Sequence, residues 1–217
     1  MKIKLPVTES LYNNNKIKLT NIQWKLYYYL ISISKDNFIS MKNFKKENCC
    51  KALNTNLTTY YKAIKALTTH RLITVYNSSI IINNITDNFV EIELSIFKAL
   101  LYFSKNADLI RLYLIFLKYG DPEIKHFTKN KIIEMLGHAG RNTKFYPLAQ
   151  NYLNILQDLK LIDLTIEEKK CCGKSYNSYT VNKVYETNDY FKADKLSDIL
   201  NNIPNEIKQK YIQGPFK

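Results

Sequence analysis

NLTTYYKAIKALTTHRLITVYNSSIII, spanning Asn56–Ile82, decides how this chain folds. Leu57, Tyr60, Tyr61, Ile64 and Leu67 recur at i, i+3, i+4, i+7 and i+10, which predicts a helix with one buried face. The opposite face carries Thr58, Lys62, Lys65 and Thr69, and no acidic residue interrupts it. Leu72–Tyr76 and Ser79–Ile82 are rich in β-branched residues and flank Asn77-Ser78, so the helix should run straight into a hairpin.

Upstream, Thr20 reads as an N-cap for NIQWKLYYYLISIS, in which Ile22, Leu26, Leu30 and Ile33 form a helical core stripe. Trp24, Tyr28 and Ile31 form a second apolar stripe beside it. Either the segment before Thr20 or a second domain covers that stripe, or it is the contact of a homodimer. A short apolar piece, Phe38-Ile39, and a weaker helix over MKNFKKENCCKAL complete the order helix, short strand, helix, helix, hairpin.

The second half repeats this order with different residues. DLIRLYLIFLKYG is a strongly apolar helix that begins at Asp108 and should end at Gly120-Asp121-Pro122. Thr128 caps KNKIIEML, which stops at Gly137. Pro147, well suited to a first helical turn because its missing N–H would be unpaired there, opens PLAQNYLNILQDL. That helix turns Leu148, Tyr152, Ile155 and Leu159 inward and Gln150, Asn151 and Asn154 outward. LKLIDLTIEEKK and SYTVNKVYE then form a longer hairpin around Cys171-Cys172-Gly173-Lys174.

The segments YYKAIKALTTHRLITVY and YLNILQDLKLIDLTI resemble the winged-helix family where its recognition helix ends and its wing begins. The resemblance covers roughly residues 17–85 and 107–187. It implies a mainly α fold with small β-hairpin wings (α+β), two tandem winged helix-turn-helix domains and short C-terminal helices. The domains fall at 1–90 and 107–187, with an ordered connector over 91–106 and a helical tail over 188–217, where KLSDILNN and PNEIKQKY read as short helices. Tandem winged helices in a small basic chain are further similar to plasmid replication initiators and phage replisome organisers.

Charge points the same way. The 217 residues hold 32 Lys+Arg against 19 Asp+Glu, a net charge of +13, which favours a polyanionic partner. Residues 1–90 hold 13 Lys and Arg against 4 Asp and Glu, so +9 of that excess lies in the first domain. Lys42, Lys45 and Lys46, on or beside the second helix, are placed to bind phosphates, because in a helix-turn-helix that helix abuts the backbone. Thr58, Thr59, Lys62 and Lys65 on the third helix would face base edges. In the second domain Arg141, Asn142, Thr143 and Lys144 form a compact donor cluster, while Gln150, Asn151 and Asn154 suit adenine and so an A·T-containing site.

Other classes fall away. The longest uncharged apolar stretches are far shorter than the ~20 residues of a bilayer span, and the N-terminus lacks a secretion signal's apolar core, so a cytoplasmic location is expected. Five glycines leave no phosphate-binding loop. The adjacent pairs Cys49-Cys50 and Cys171-Cys172 lack the spacing of zinc ligands, and His70, His126 and His138 are scattered. The expectation is a binding protein, not an enzyme, without metal or cofactor. Its partner is double-stranded DNA, and its role is that of a plasmid or phage replication initiator that recruits host replication proteins. The alternatives are a transcriptional regulator of a mobile element and a winged-helix protein-interaction scaffold.

Overall fold

The computed structural model describes residues 1–7, 19–83, 89–104, 106–119, 127–138 and 143–212. Among them the chain is mixed α+β, with nine α-helices and small antiparallel sheets. It divides into two compact units: Met1–Leu94 with Ser104–Ala107, and Ser95–Phe103 with Asp108–Lys217.

The first unit contains β1 (Lys2–Pro6), α1 (Asn21–Ile33), β2 (Phe38–Ser40), α2 (Lys46–Leu53), α3 (Leu57–Thr69), β3 (Ile73–Val75), β4 (Ser79–Ile82) and β5 (Phe89–Glu93). The Thr20 N–H donates to Gln23 Oε1 at 2.7 Å, one half of a capping box that starts α1. Trp24, Tyr27 and Tyr28 are fully buried. The cover over Trp24 and Tyr28 comes from within the chain, since the Tyr28 hydroxyl donates to Pro6 O at 3.2 Å and Leu5 and Val7 are fully buried. β1 is itself held by β5 in the register Lys2↔Glu93 to Pro6↔Phe89. The expected core residue Ile33 is instead exposed, at the last turn of α1, where the buried stripe has already run out.

α2 begins at Lys46, later than the expected start near Met41. Met41 N–H donates to Ser78 O, and Ser40 O accepts from the Asn43 and Phe44 N–H groups, so residues 41–44 turn away from the sheet edge before the helix begins. Asn56 Oδ1 caps α3 by accepting from Thr59 N–H at 2.8 Å. The hairpin β3–β4 forms around Asn77-Ser78, and β2 pairs on its other side, giving the order β2-β4-β3.

The second unit contains α4 (Leu94–Phe103), α5 (Asp108–Tyr119), α6 (Lys129–Met135), α7 (Tyr146–Asp158), β6 (Ile162–Cys171), β7 (Lys174–Val184), α8 (Leu196–Asn202) and α9 (Asn205–Ile212). Phe127 exchanges two backbone hydrogen bonds with Tyr179 of β7, at 2.9 and 2.8 Å. Phe127 therefore stands where β2 stands in the first unit, so helix, short strand, helix, helix and hairpin occur twice with the same strand pairing. Residues 91–106 are divided between the units: Val90–Glu93 pairs with β1, while α4 packs in the second unit. There the Lys98 ammonium donates to Asp194 O, and Phe103 meets the Tyr211 ring edge-on. The C-terminal helices bury Ile199 and Ile203, and Lys210 pairs with Asp158 of α7 at 2.6 Å.

Two further devices recur. α3 and α7 both end in a Schellman motif: Leu72 N–H donates to Leu67 O and Leu161 N–H to Leu156 O, with Arg71 and Lys160 at φ 56° and 54°. That left-handed residue turns each chain from helix into Leu-Ile and the first hairpin strand. In both repeats a cation on the first helix (α1 or α5) also meets the C-terminal carbonyls of the second (α2 or α6), where the helix dipole favours positive charge. The Lys25 ammonium donates to Leu53 O at 3.3 Å, and Arg111 Nη2 to Leu136 O at 2.9 Å. Arg111 is buried and paired with Asp108 at 2.7 Å, and the second Asp108 oxygen meets His138 Nε2 at 3.1 Å. Burial holds the Lys25 ammonium below the usual lysine range.

Candidate nucleic-acid interface

α3 presents an open polar face. Thr58, Lys62, Lys65 and Thr69 are exposed and lie within a narrow stripe at 100° per residue. The buried face is centred on Tyr60, Ala63 and Leu67. Leu57 and Tyr61 were expected in the core, yet they are 40% and 51% exposed. The small Ala63 takes the place of closest packing, which rotates the helix so that Leu57 and Tyr61 border the polar stripe. Thr59 is half-buried, lies about 100° off the stripe, and its N–H is held by the Asn56 cap, so it does not share the face of Thr58. Among the described residues Lys62 and Lys65 form no ion pair.

Lys42 lies in the turn before α2, Lys45 is its N-cap residue and Lys46 its first residue. The Lys46 ammonium donates to the Tyr61 hydroxyl at 2.6 Å and lies 5.3 Å from the ring centroid. That hydrogen bond holds the ammonium above the usual lysine range. Tyr61 thus ties the basic start of α2 to the exposed face of α3, a connection that the apolar periodicity concealed by assigning Tyr61 to the core.

The corresponding helix of the second unit is built differently. α7 buries Ala149, Tyr152, Leu153, Ile155 and Leu156, and carries neither lysine nor arginine. Gln150, Asn151 and Asn154, expected to face outward, are half-buried. Gln150 Oε1 accepts from the Tyr179 hydroxyl at 2.6 Å, and its Nε2 donates to Asn154 Oδ1 at 2.9 Å. Gln157 Nε2 reaches Leu164 O of β6 at 3.4 Å. The polar strip of α7 therefore lies against its own hairpin, because apolar residues claim the rest of the circumference. Pairing adenine through Gln150 would require breaking two hydrogen bonds, each worth about 0.5–1.5 kcal/mol.

Arg141 and Asn142 lie outside the described residues, as do His126 and Gly120-Asp121-Pro122, and of Thr143 only the backbone is described. Lys144 is exposed on the short 3₁₀ turn Thr143–Phe145 that leads into α7. Polar groups that the sequence did not mark collect nearby. Thr128, Lys129, Asn130, Tyr146, Tyr176 and Asn177 line an open cleft of about 400 Å³ between the start of α6 and the far end of β7. The Tyr146 hydroxyl donates to Asn130 Oδ1 across it.

All four cysteines are free thiols. Among the described residues no group of three His, Cys, Asp or Glu side chains is placed to hold a metal, and no helix is long and apolar enough to cross a membrane. No protein-family model and no curated protein sequence matches the chain.

Proposed function

We propose that this chain is a sequence-specific double-stranded DNA-binding protein made of two winged helix-turn-helix modules, with α3 as the helix that enters the major groove. The observation that carries this is the exposed, acid-free stripe Thr58, Lys62, Lys65 and Thr69 beside the basic start of α2. The repeated order of three helices and a hairpin, flanked by a third strand in the first unit and by the Phe127 bridge in the second, supports it, as does the net charge of +13. In such docking the helix before the reader lies on the phosphate backbone, which assigns Lys42, Lys45 and Lys46 to phosphates, and Lys62 and Lys65 to base edges.

The role is that of a plasmid or phage replication initiator. Two modules with unlike reading helices suit origin sites whose parts differ. Fluorescence anisotropy on duplexes from beside its own gene tests the binding. The double variant Lys62→Ala/Lys65→Ala should lose at least roughly 30-fold in affinity, since each lost base contact is worth about 1–3 kcal/mol. Unchanged affinity would remove α3 from the interface. For the role, deleting the gene should abolish maintenance of its replicon. Persistence of the replicon with derepression of a neighbouring promoter would make the protein a regulator.

A further inference from the structure

The two cysteine pairs occupy opposite environments. Cys49 and Cys50 are consecutive on α2 and buried, and burial pushes the Cys49 thiol up to about 12. Cys171 and Cys172 are exposed at the tip of the β6–β7 hairpin, with their sulfurs only 3.8 Å apart. Cys171 pairs with Lys174, so Cys172-Gly173 is a two-residue loop, with φ of 50° and 73° as a type I′ turn requires. Lys170–Gly173 and Ser175–Asn177 are exposed on either side of the turn, so the tip lies clear of the core.

We propose that this tip is a reversible oxidation site at which Cys171 and Cys172 close a disulfide between adjacent residues, with a peroxide as oxidant. One thiol attacks the peroxide oxygen, forming a sulfenic acid and releasing water. The second thiol then attacks that sulfur, expelling a second water and leaving the S–S bond. Two electrons pass from the sulfurs to the peroxide. Adjacent Cα atoms are about 3.8 Å apart, below the usual disulfide span of roughly 4.4–6.8 Å, so the closed ring is strained and readily reduced. Strained, exposed disulfides are the labile ones. The strain falls on the Cys172-Gly173 turn and on the short distal strands, leaving the core of the second unit untouched.

The test treats the full chain with equimolar hydrogen peroxide and reads intact mass, peptide maps and non-reducing gels. The expected result is loss of two hydrogens, located to the peptide spanning Cys171 and Cys172, reversed by a dithiol reductant and abolished by Cys171→Ser or Cys172→Ser. Cys49 and Cys50 stay as thiols. Sulfinic or sulfonic acids at the tip without a ring, or chains cross-linked through the tip, would overturn the proposal.

Oxidised and reduced protein compared on one duplex then extend it, in a step that rests on the DNA-binding role. An affinity change absent from Cys171→Ser places the tip at the DNA. Ring formation in a protein whose DNA affinity is indifferent to Lys62 and Lys65 would retire α3 as the reader and leave the oxidation site standing.

Discussion

α3 and α7 stand at the same place in a repeated topology, and both end in the same left-handed turn into a hairpin, yet they show opposite surfaces. α3 leaves Thr58, Lys62, Lys65 and Thr69 open to solvent, whereas on α7 Gln150 and Asn154 are half-buried and bonded to each other, with Gln150 also tied to Tyr179 of the hairpin. The cation that meets the second helix also differs: it is the lysine Lys25 in the first unit, and in the second Arg111, paired with Asp108, whose other oxygen meets His138. The same chain path thus gives one module with its chemistry outside and one with its polar groups turned inward to fasten the structure. A shared topology fixes where the third helix of each repeat stands, and the side chains decide what its surface offers.

The largest effect expected of that contrast is on stability. Arg111→Met leaves the Asp108 carboxylate buried without its main partner and should destabilise the second unit by about 3–5 kcal/mol. Lys25→Met removes a charged hydrogen bond to Leu53 O worth about 1.5–3 kcal/mol but also relieves a buried ammonium, so the first unit should lose less than the second does. Denaturant unfolding followed by Trp24 fluorescence and by far-UV circular dichroism separates the two, and equal losses would break the comparison. On DNA, Gln150→Ala/Asn151→Ala/Asn154→Ala should change affinity far less than Lys62→Ala/Lys65→Ala does. A comparable loss would show that α7 opens to read bases.

Smaller effects sharpen the picture. Tyr179→Phe should cost about 1 kcal/mol by leaving the Gln150 carbonyl without its donor, measurable as a lower denaturant midpoint, with DNA affinity unchanged. Gly173→Ala meets no atom within 4 Å, so its penalty is that of the left-handed backbone alone, about 1–2 kcal/mol. A chemical-denaturation midpoint that does not move would mean the tip readily takes up another turn.

Much of this was legible in residue order. The helix period of Asn56–Thr69, the Asn77-Ser78 turn, Pro147 at a helix start and Gly137 at a helix stop each state a local backbone preference. What was hidden depends on partners distant in sequence. Phe127 is a single bridging residue with no strand-length pattern around it. Arg71 and Lys160 take up φ values that glycine usually marks. Tyr61 joined the core by spacing because Ala63, too small to weigh in an apolar pattern, sets the true packing line. Gln150 read as outward because amphipathic reasoning cannot see a hairpin folding back over the polar strip. Asp108 read only as a helix start, and its burial together with Arg111 shows the two as a brace.

The pairing of Lys2–Pro6 with Phe89–Glu93 sets an order of events during synthesis. The first strand emerges early, but the strand that holds it is nearly the last part of its unit to appear. At about 5–20 residues per second the delay is roughly 4–18 s. Through that interval Trp24 and Tyr28 lack their finished cover, so the nascent chain carries an aromatic surface that only the completion of its own first unit can hide.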